Sequence, residues 1–258
     1  MQKELSCMWV QGQLPRLAFL SLSSAVYFGY QPTIYLYDTS TSVPDGVRVA
    51  DANHVIDQSQ IFKRYGMFPS FADIFRYTLL SMKNAVWFDL DCVFVNEHLP
   101  LDDDYLFGVQ SYNPGYRGNF PIAINNAVLT YPQTSHLAYA INAACTSFRE
   151  EHAADMDFGL WEKTGPELLT TCVYAARLQD RVKPLEYFYP ISWMETELFV
   201  EPEHFDHAMS RLETQSRKNQ LAPLFHVWNS SLNKIYHKDK FACFPNGSLL
   251  SYYETKFC

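Results

Sequence analysis

Along the first hundred positions two hydrophobic rhythms alternate: compact apolar runs, and stretches whose apolar residues recur at helical spacing. "LSCMWV" (5–10) is a short apolar run that stops at Gln11-Gly12, the pattern of a strand entering a turn. Pro15 stands where a helix accepts proline in its first turn, and "RLAFLSLSSAVYF" (16–28) keeps helical spacing until Gly29 closes it. "TIYLYD" (33–38), rich in β-branched and aromatic residues, predicts the next strand. Strand, helix, strand is the unit from which parallel sheets are wound.

After a polar turn at Pro44-Asp45-Gly46, "VRVADANHVI" (47–56) reads as extended. Ser70 heads "SFADIFRYTLLSM" (70–82), where Ser-x-x-Asp predicts a capping box and Ile74, Phe75, Leu79 and Met82 supply an apolar stripe. This helix delivers the chain into "AVWFDLD" (85–91). Further on, "AINNAVLTY" (123–131) predicts a strand, and "SHLAYAINAACTSFREE" (135–151) and "GPELLTTCVYAARL" (165–178) predict helices. "LEYFYPISW" (185–193) and "APLFHVWN" (222–229) read as extended segments with aromatic ends. The order of elements is that of a nucleotide-binding α/β domain, whose ligand site lies beyond the carboxyl ends of its strands.

The chain has 258 residues, 48% of them hydrophobic, and no linker or internal repeat, which predicts one domain. A net charge of −8 argues against a general nucleic-acid binder, because phosphate backbones reward a basic face. Six cysteines are scattered without a Cys-x-x-Cys pair, the pattern of reduced thiols in a cytoplasmic protein. His204 and His207 have a ligand-like spacing, but they lie in what reads as a charged helix with no cysteine pair to join them. No apolar stretch approaches the ~20 residues that span a bilayer, so the expectation is a soluble protein or one held peripherally at a membrane face.

The candidate chemistry lies in "NAVWFDLDCVFV" (84–95), which puts Asp89 and Asp91 into a stretch otherwise reading as a buried strand. Alternate side chains of a strand point the same way, so both carboxylates share one face or one strand end while Leu90 turns back to the core. Two close carboxylates repel unless a cation sits beside them. A hard divalent ion such as Mg²⁺ or Mn²⁺ suits them, since such ions use one or two carboxylates plus substrate phosphate oxygens.

With these residues in view, "ADIFRYTLLSMKNAVWFDLD" (72–91) resembles the signature of the DXD sugar-nucleotide glycosyltransferases of GT-A fold. The group meant contains the yeast outer-chain mannosyltransferase, the α-1,4-galactosyltransferases of glycolipid synthesis, the catalytic domains of the large clostridial glucosylating toxins and small bacterial capsule and lipopolysaccharide enzymes. "MWVQGQLP" (8–15), "INNAVL" (124–129), "TGPELLT" (164–170) and "FHVWN" (225–229) resemble further motifs of that group, in its order. Two departures are visible: Asn84-Ala85 replace a usual pair of glycines, and Gln11 stands for the first glycine after the early tryptophan.

The resemblance implies a single GT-A, Rossmann-like α/β domain over 1–258 with a mixed, mainly parallel sheet, a donor-nucleotide half (1–100) and an acceptor-side half (101–258). It implies that Trp9 stacks on the nucleotide base, that Asp73 holds donor sugar hydroxyls and that Arg76 bonds donor oxygens. Asp91 would bind Mn²⁺ or Mg²⁺ directly, with Asp89 bonding ribose or the metal through water. His226 or Asn229 would approach the metal and diphosphate from the other side, Trp228 would help close the site, and Asn126 joins Asp91 and Arg76 as a candidate catalytic residue. The donor implied is a nucleoside-diphosphate sugar, uridine diphosphate being the carrier by resemblance, and the acceptor a saccharide or glycolipid hydroxyl, with retention of configuration. No other acid stands out as a covalent nucleophile, Asp102 to Asp104, Asp155, Asp157 and Glu195 being unassigned, which favours same-face displacement over a covalent route. The alternatives are a toxin-like enzyme that glycosylates a protein side chain, a binding module on the same fold, and a metal-dependent hydrolase. A spacing of two on one strand is poor for a hydrolase acid pair, whose carboxylates stand about 5 Å or more apart across the scissile bond.

Overall fold

The computed structural model describes residues 3–63, 67–112, 120–151, 164–217, 222–236 and 239–258. Its first half follows the apolar rhythm closely. Strand β1 (Glu4–Trp9) is followed by helix α1 (Arg16–Tyr27), strand β2 (Thr33–Leu36), strand β3 (Arg48–Asp51), helix α2 (Pro69–Met82) and strand β4 (Ala85–Phe88). After β4 come two short strands, β5 (Cys92–Phe94) and β6 (Leu106–Ser111), and the long β7 (Ala123–Thr130). Helices α3 (His136–Glu151), α4 (Pro166–Ala175), α5 (Leu185–Phe188) and α6 (Phe205–Arg217) precede β8 (Leu224–His226), α7 (Asn229–Ile235) and α8 (Leu249–Phe257).

Six strands form one sheet in the order β3-β2-β1-β4-β7-β6. The pairs β3·β2, β2·β1 and β1·β4 are parallel, whereas β7 is antiparallel to both β4 and β6. Only β7 therefore runs against the rest, and the sheet is mixed and mainly parallel. Alternate residues of the central strands feed two cores, one on each face. Leu5, Ile34, Val86 and Phe88 pack with α1 and α8, while Tyr35, Ala85 and Trp87 pack with α2, α3 and α4. A second, two-stranded ribbon pairs β5 with β8 in antiparallel register, Cys92 opposite His226.

Helix α1 holds this ribbon by hydrogen bonds as well as by packing. Ser21 Oγ donates to the Cys92 carbonyl at 2.6 Å, and Ser24 Oγ accepts the Phe94 N–H at 2.9 Å. Both serines are fully buried, so these bonds satisfy groups that would otherwise be costly inside.

Three local expectations are corrected. Ser70 does not cap α2: Pro69 occupies the first helical turn, Phe68 is the capping position without a side-chain bond, and the buried Ser70 hydroxyl has no hydrogen-bond partner among the described residues. Proline's fixed φ and missing N–H suit that first turn, which displaces the serine inward. The segment 47–56 is extended only over β3 and then tightens into a 3₁₀ turn at Ala52–His54, because Asp51 accepts the Asn53 N–H. The segment 185–193 begins as helix α5, not as a strand; Pro184 precedes it and its last turn packs Phe188 against Gly108 of β6, where a β-carbon would lie 2.8 Å from the Phe188 ring.

Candidate active site

Strand order reverses between β1 and β4, since the chain builds outward from β1 to β2 and β3 on one side and crosses to β4 on the other. Such a switch point leaves a crevice beyond the carboxyl ends of the two strands. Trp9 ends β1 there, half-buried, its indole N–H donating to the Gly12 carbonyl at 3.0 Å while Lys240 stands over the ring. Asp89 and Asp91 follow the end of β4 in a tight turn closed by the Cys92 N–H on the Asp89 carbonyl at 3.0 Å. Leu90, between them, packs back against the core as its position demands.

Each aspartate has its own restraint. Asp89 Oδ1 accepts from Arg76 at 2.6 Å and from the Trp87 indole N–H at 2.7 Å, and its backbone N–H is bonded to Ala127 of β7. Asp91 Oδ1 lies 3.0 Å from His226 Nε2, and its Oδ2 accepts the backbone N–H of Asn229 at 2.9 Å. The Asp91 carbonyl further accepts the Val227 N–H, so the β8–α7 junction is laced to the turn by both side chain and backbone.

Arg76 is almost wholly buried and reaches this turn from α2. One end of its fork meets Asp89, the other donates to the Asn126 carbonyl at 2.6 Å, and its guanidinium lies over the Trp87 ring. Asp73, one helical turn earlier, accepts from Asn126 Nδ2 at 2.8 Å and from Thr164 Oγ1 at 3.1 Å, with Arg76 at 3.5 Å. Its capping role is thus excluded; Asp73 faces the site, not the helix end.

Burial sets the protonation of these acids. Desolvation pushes the Asp73 carboxyl up to about 6, against the pull of Arg76. Burial also raises Asp89, with Arg76 opposing and the neighbouring Asp91 reinforcing the rise. For Asp91 burial acts upward too, but the His226 ring and the Asn229 N–H outweigh it and hold the carboxyl below the usual carboxylate range. Burial therefore favours the neutral form of Asp73 and Asp89, while the partners of Asp91 favour its ionised form.

Trp228 joins the pair β8 and α7 at φ +56°, a left-handed conformation that bulky residues rarely adopt. Its indole N–H donates to the Ile191 carbonyl at 2.9 Å, and its ring packs 4.3 Å from that of His226. Tyr189 completes the wall: buried, it contacts both His226 and Trp228, and its hydroxyl donates to Asn125 at 3.2 Å. The structure therefore brings Asp73, Arg76, Asp89, Asp91, Asn126, His226, Trp228 and the Asn229 backbone together, with Trp9 at the neighbouring strand end. The Asn229 side chain is exposed, and only its N–H reaches Asp91.

Tyr189, Thr164 and Trp87 also belong to the cluster; Trp87 and Thr164 stood in the motifs that carry the resemblance without an assigned role, and Tyr189 was not marked from sequence. Of the unassigned acids, Asp103 pairs with Lys183 and Glu195 with Arg211, both away from this turn; Asp155 and Asp157 lie outside the described residues.

No protein-family model matches the chain, and no curated protein does. One solved structure of similar course is described as "PaToxG Glycosyltransferase". It shares 15% identity, with 91% of this chain and 84% of that chain covered and a TM-score of 0.45. A likeness of that degree says nothing about residues or substrate. Among the described residues no helix is long and apolar enough to cross a membrane.

Proposed function

We propose that this protein is a metal-dependent glycosyltransferase of the GT-A type that moves a sugar from a nucleoside-diphosphate donor to a hydroxyl of a saccharide or glycolipid acceptor. The observation that carries the reading is the Asp89–Asp91 turn at the carboxyl end of β4, beside β1, with each carboxylate fixed by a separate partner, Arg76 and His226. A carboxylate pair at a switch point suits a divalent ion and a diphosphate together. We read 1–258 as one unit, since both sheets combine strands from its two halves.

The donor set fits Mn²⁺ or Mg²⁺: two carboxylates, the His226 imidazole and nearby Asn229. Two buried nitrogens beside the turn, Arg76 Nε and His226 Nδ1, lack a hydrogen-bond partner among the described residues, which is the condition of a site awaiting a polar ligand. When bound, the ion supplies positive charge against the departing diphosphate. The chain's own residues do the remaining work. Arg76 fixes Asp89 and adds a second positive charge close to the diphosphate position. Asp73, held by Asn126 and Thr164, presents a carboxyl to sugar hydroxyls, and Trp9 offers a half-open indole face to a nucleotide base. Trp228 and Tyr189 fix the His226 ring and exclude water from its inner side. Uridine diphosphate as carrier and retention of configuration complete the proposal.

Calorimetric titration with a panel of nucleoside diphosphates and nucleotide sugars, with and without Mn²⁺, tests it on the natural protein and on Asp91→Ala. Metal-dependent binding of one nucleotide, lost in the variant, is expected. Binding indifferent to both metal and Asp91, or no binding, would remove the basis of the reading.

A further inference from the structure

The Cys92 side chain has no role in the account above, yet the residue stands directly opposite His226 in the β5·β8 ribbon. Directly opposed residues of an antiparallel pair hold their β-carbons about 5 Å apart on one face. The turn that carries Asp91 ends at Cys92, so one carboxylate oxygen of Asp91, the Cys92 sulfur and one His226 ring nitrogen lie within 4.8 Å of one another. Four donor atoms around a zinc-like ion sit about 3.5 Å apart at normal bond lengths, so small side-chain rotations would bring these three to ligating distance.

Three further observations favour a ligand here over an inert core thiol. His226 is nine-tenths buried, and its Nδ1 has no hydrogen-bond partner among the described residues. The ribbon is anchored on both sides, by Ser21 and Ser24 of α1 against β5 and by the Trp228–Ile191 bond beyond β8, which preorganises the trio. Asp91 keeps 18% of its side chain exposed, so the trio meets solvent at its carboxylate.

We propose that Asp91, Cys92 and His226 hold a thiophilic divalent ion of the zinc and cobalt type, with Cys92 setting the metal preference of the centre. The inference rests on the reading of Asp91 as a metal ligand. Binding exchanges a proton for the ion: the Cys92 S–H bond breaks, a sulfur–metal bond forms, and the proton leaves to solvent. Softness orders the ions: a thiolate favours Zn²⁺ and Co²⁺ over Mn²⁺ and gives Mg²⁺ nothing. Because Asp91 and His226 serve both, Zn²⁺ and Mn²⁺ compete for one place.

The test uses Co²⁺ as an optical probe, with and without uridine diphosphate, in a background where the exposed Cys243 and Cys258 are changed to serine. The expected result is a thiolate-to-cobalt charge-transfer band that Zn²⁺ abolishes, that Cys92→Ser lacks, and that vanishes with all Co²⁺ binding in Asp91→Ala. Cys92→Ser should lower Zn²⁺ affinity at least about tenfold while leaving Mn²⁺ affinity within about twofold. Co²⁺ that binds in an Asp91-dependent way without the band overturns the role of Cys92 and leaves the glycosyltransferase reading standing. Absence of Co²⁺ binding in every condition overturns this proposal outright, and Mn²⁺-dependent nucleotide binding then decides the other separately. Should Cys92→Ser fail to fold, the presence or absence of the band in the parent protein decides alone.

Discussion

Removing the Arg76 guanidinium would take a partner from three groups at once: the Asp89 carboxyl, the Asn126 carbonyl and Asp73. Taking one partner from a buried ion pair costs about 3–5 kcal/mol, far more than the pair's net value, because the other charge stays in place. Arg76→Met is therefore expected to lose that much in urea unfolding, and Arg76→Lys to recover little, since a point charge cannot bridge Asp89 and the Asn126 carbonyl together. A loss under about 1 kcal/mol would contradict this. Asp73 gives a second test. Its carboxyl ionises near pH 6 when folded and near 3.8 when unfolded, so the native state holds the extra proton between these values. Its contribution is complete below the lower value and is lost as pH rises to the upper one, by an amount on the order of 3 kcal/mol. Unfolding free energies from pH 4 to 6.5 should lose that falling component in Asp73→Asn; equal slopes would mean that Asp73 stays ionised throughout. Asp89 and Asp91 were legible in the sequence because two acids interrupt a run of buried-strand residues. Tyr189 was not, because nothing local distinguishes a tyrosine that bonds Asn125 from one that merely fills a core.

Helix α1 shows the same limit one level up. Its apolar spacing was enough to predict a helix but did not say where its serines lie. In the structure Ser21, Ser23 and Ser24 are buried, and two of them bond β5. Helical periodicity reports which residues share a face, not what covers that face, and here the cover is a strand with backbone groups to satisfy. Ser24→Ala should cost about 1–3 kcal/mol by leaving the Phe94 N–H unpaired, with faster hydrogen exchange at Phe94 as the specific sign. Unchanged exchange there would show that water replaces the hydroxyl. Strand β5 escaped notice for a related reason: "CVFV" continues the apolar run of "AVWF", and only the turn at Asp89–Cys92 divides one run into strands of two different sheets. Helix α5 was misread because "LEYFYP" has strand-like composition, whereas tertiary packing against Gly108 decides its conformation.

For the whole molecule, strand–helix–strand order sufficed to anticipate a mainly parallel sheet with its site at the strand ends. It did not reveal that β7 enters antiparallel between β4 and β6, since a reversed strand carries the same alternation as a forward one. A ligand that binds only the folded chain stabilises it as a whole, by about 2.7 kcal/mol at a hundredfold excess over its dissociation constant. Mn²⁺ with uridine diphosphate should accordingly raise the melting temperature of the natural protein, and leave that of Asp91→Ala in place. A rise of equal size in both would assign the stabilisation to another site.

The β5·β8 ribbon also fixes when the protein becomes competent. A chain emerging from the ribosome completes β1 to β4, and both aspartates, while β8 is still unmade. His226 and the Asn229 N–H follow Asp91 by 135 and 138 residues, after all six strands of the main sheet. Closing so distant a pair is a slow step in folding, because the loop entropy must be met before the contact returns anything. The nascent protein thus passes through a stage with a finished scaffold and an unfinished centre, in which Asp91 can repel Asp89 but has nothing yet to hold it.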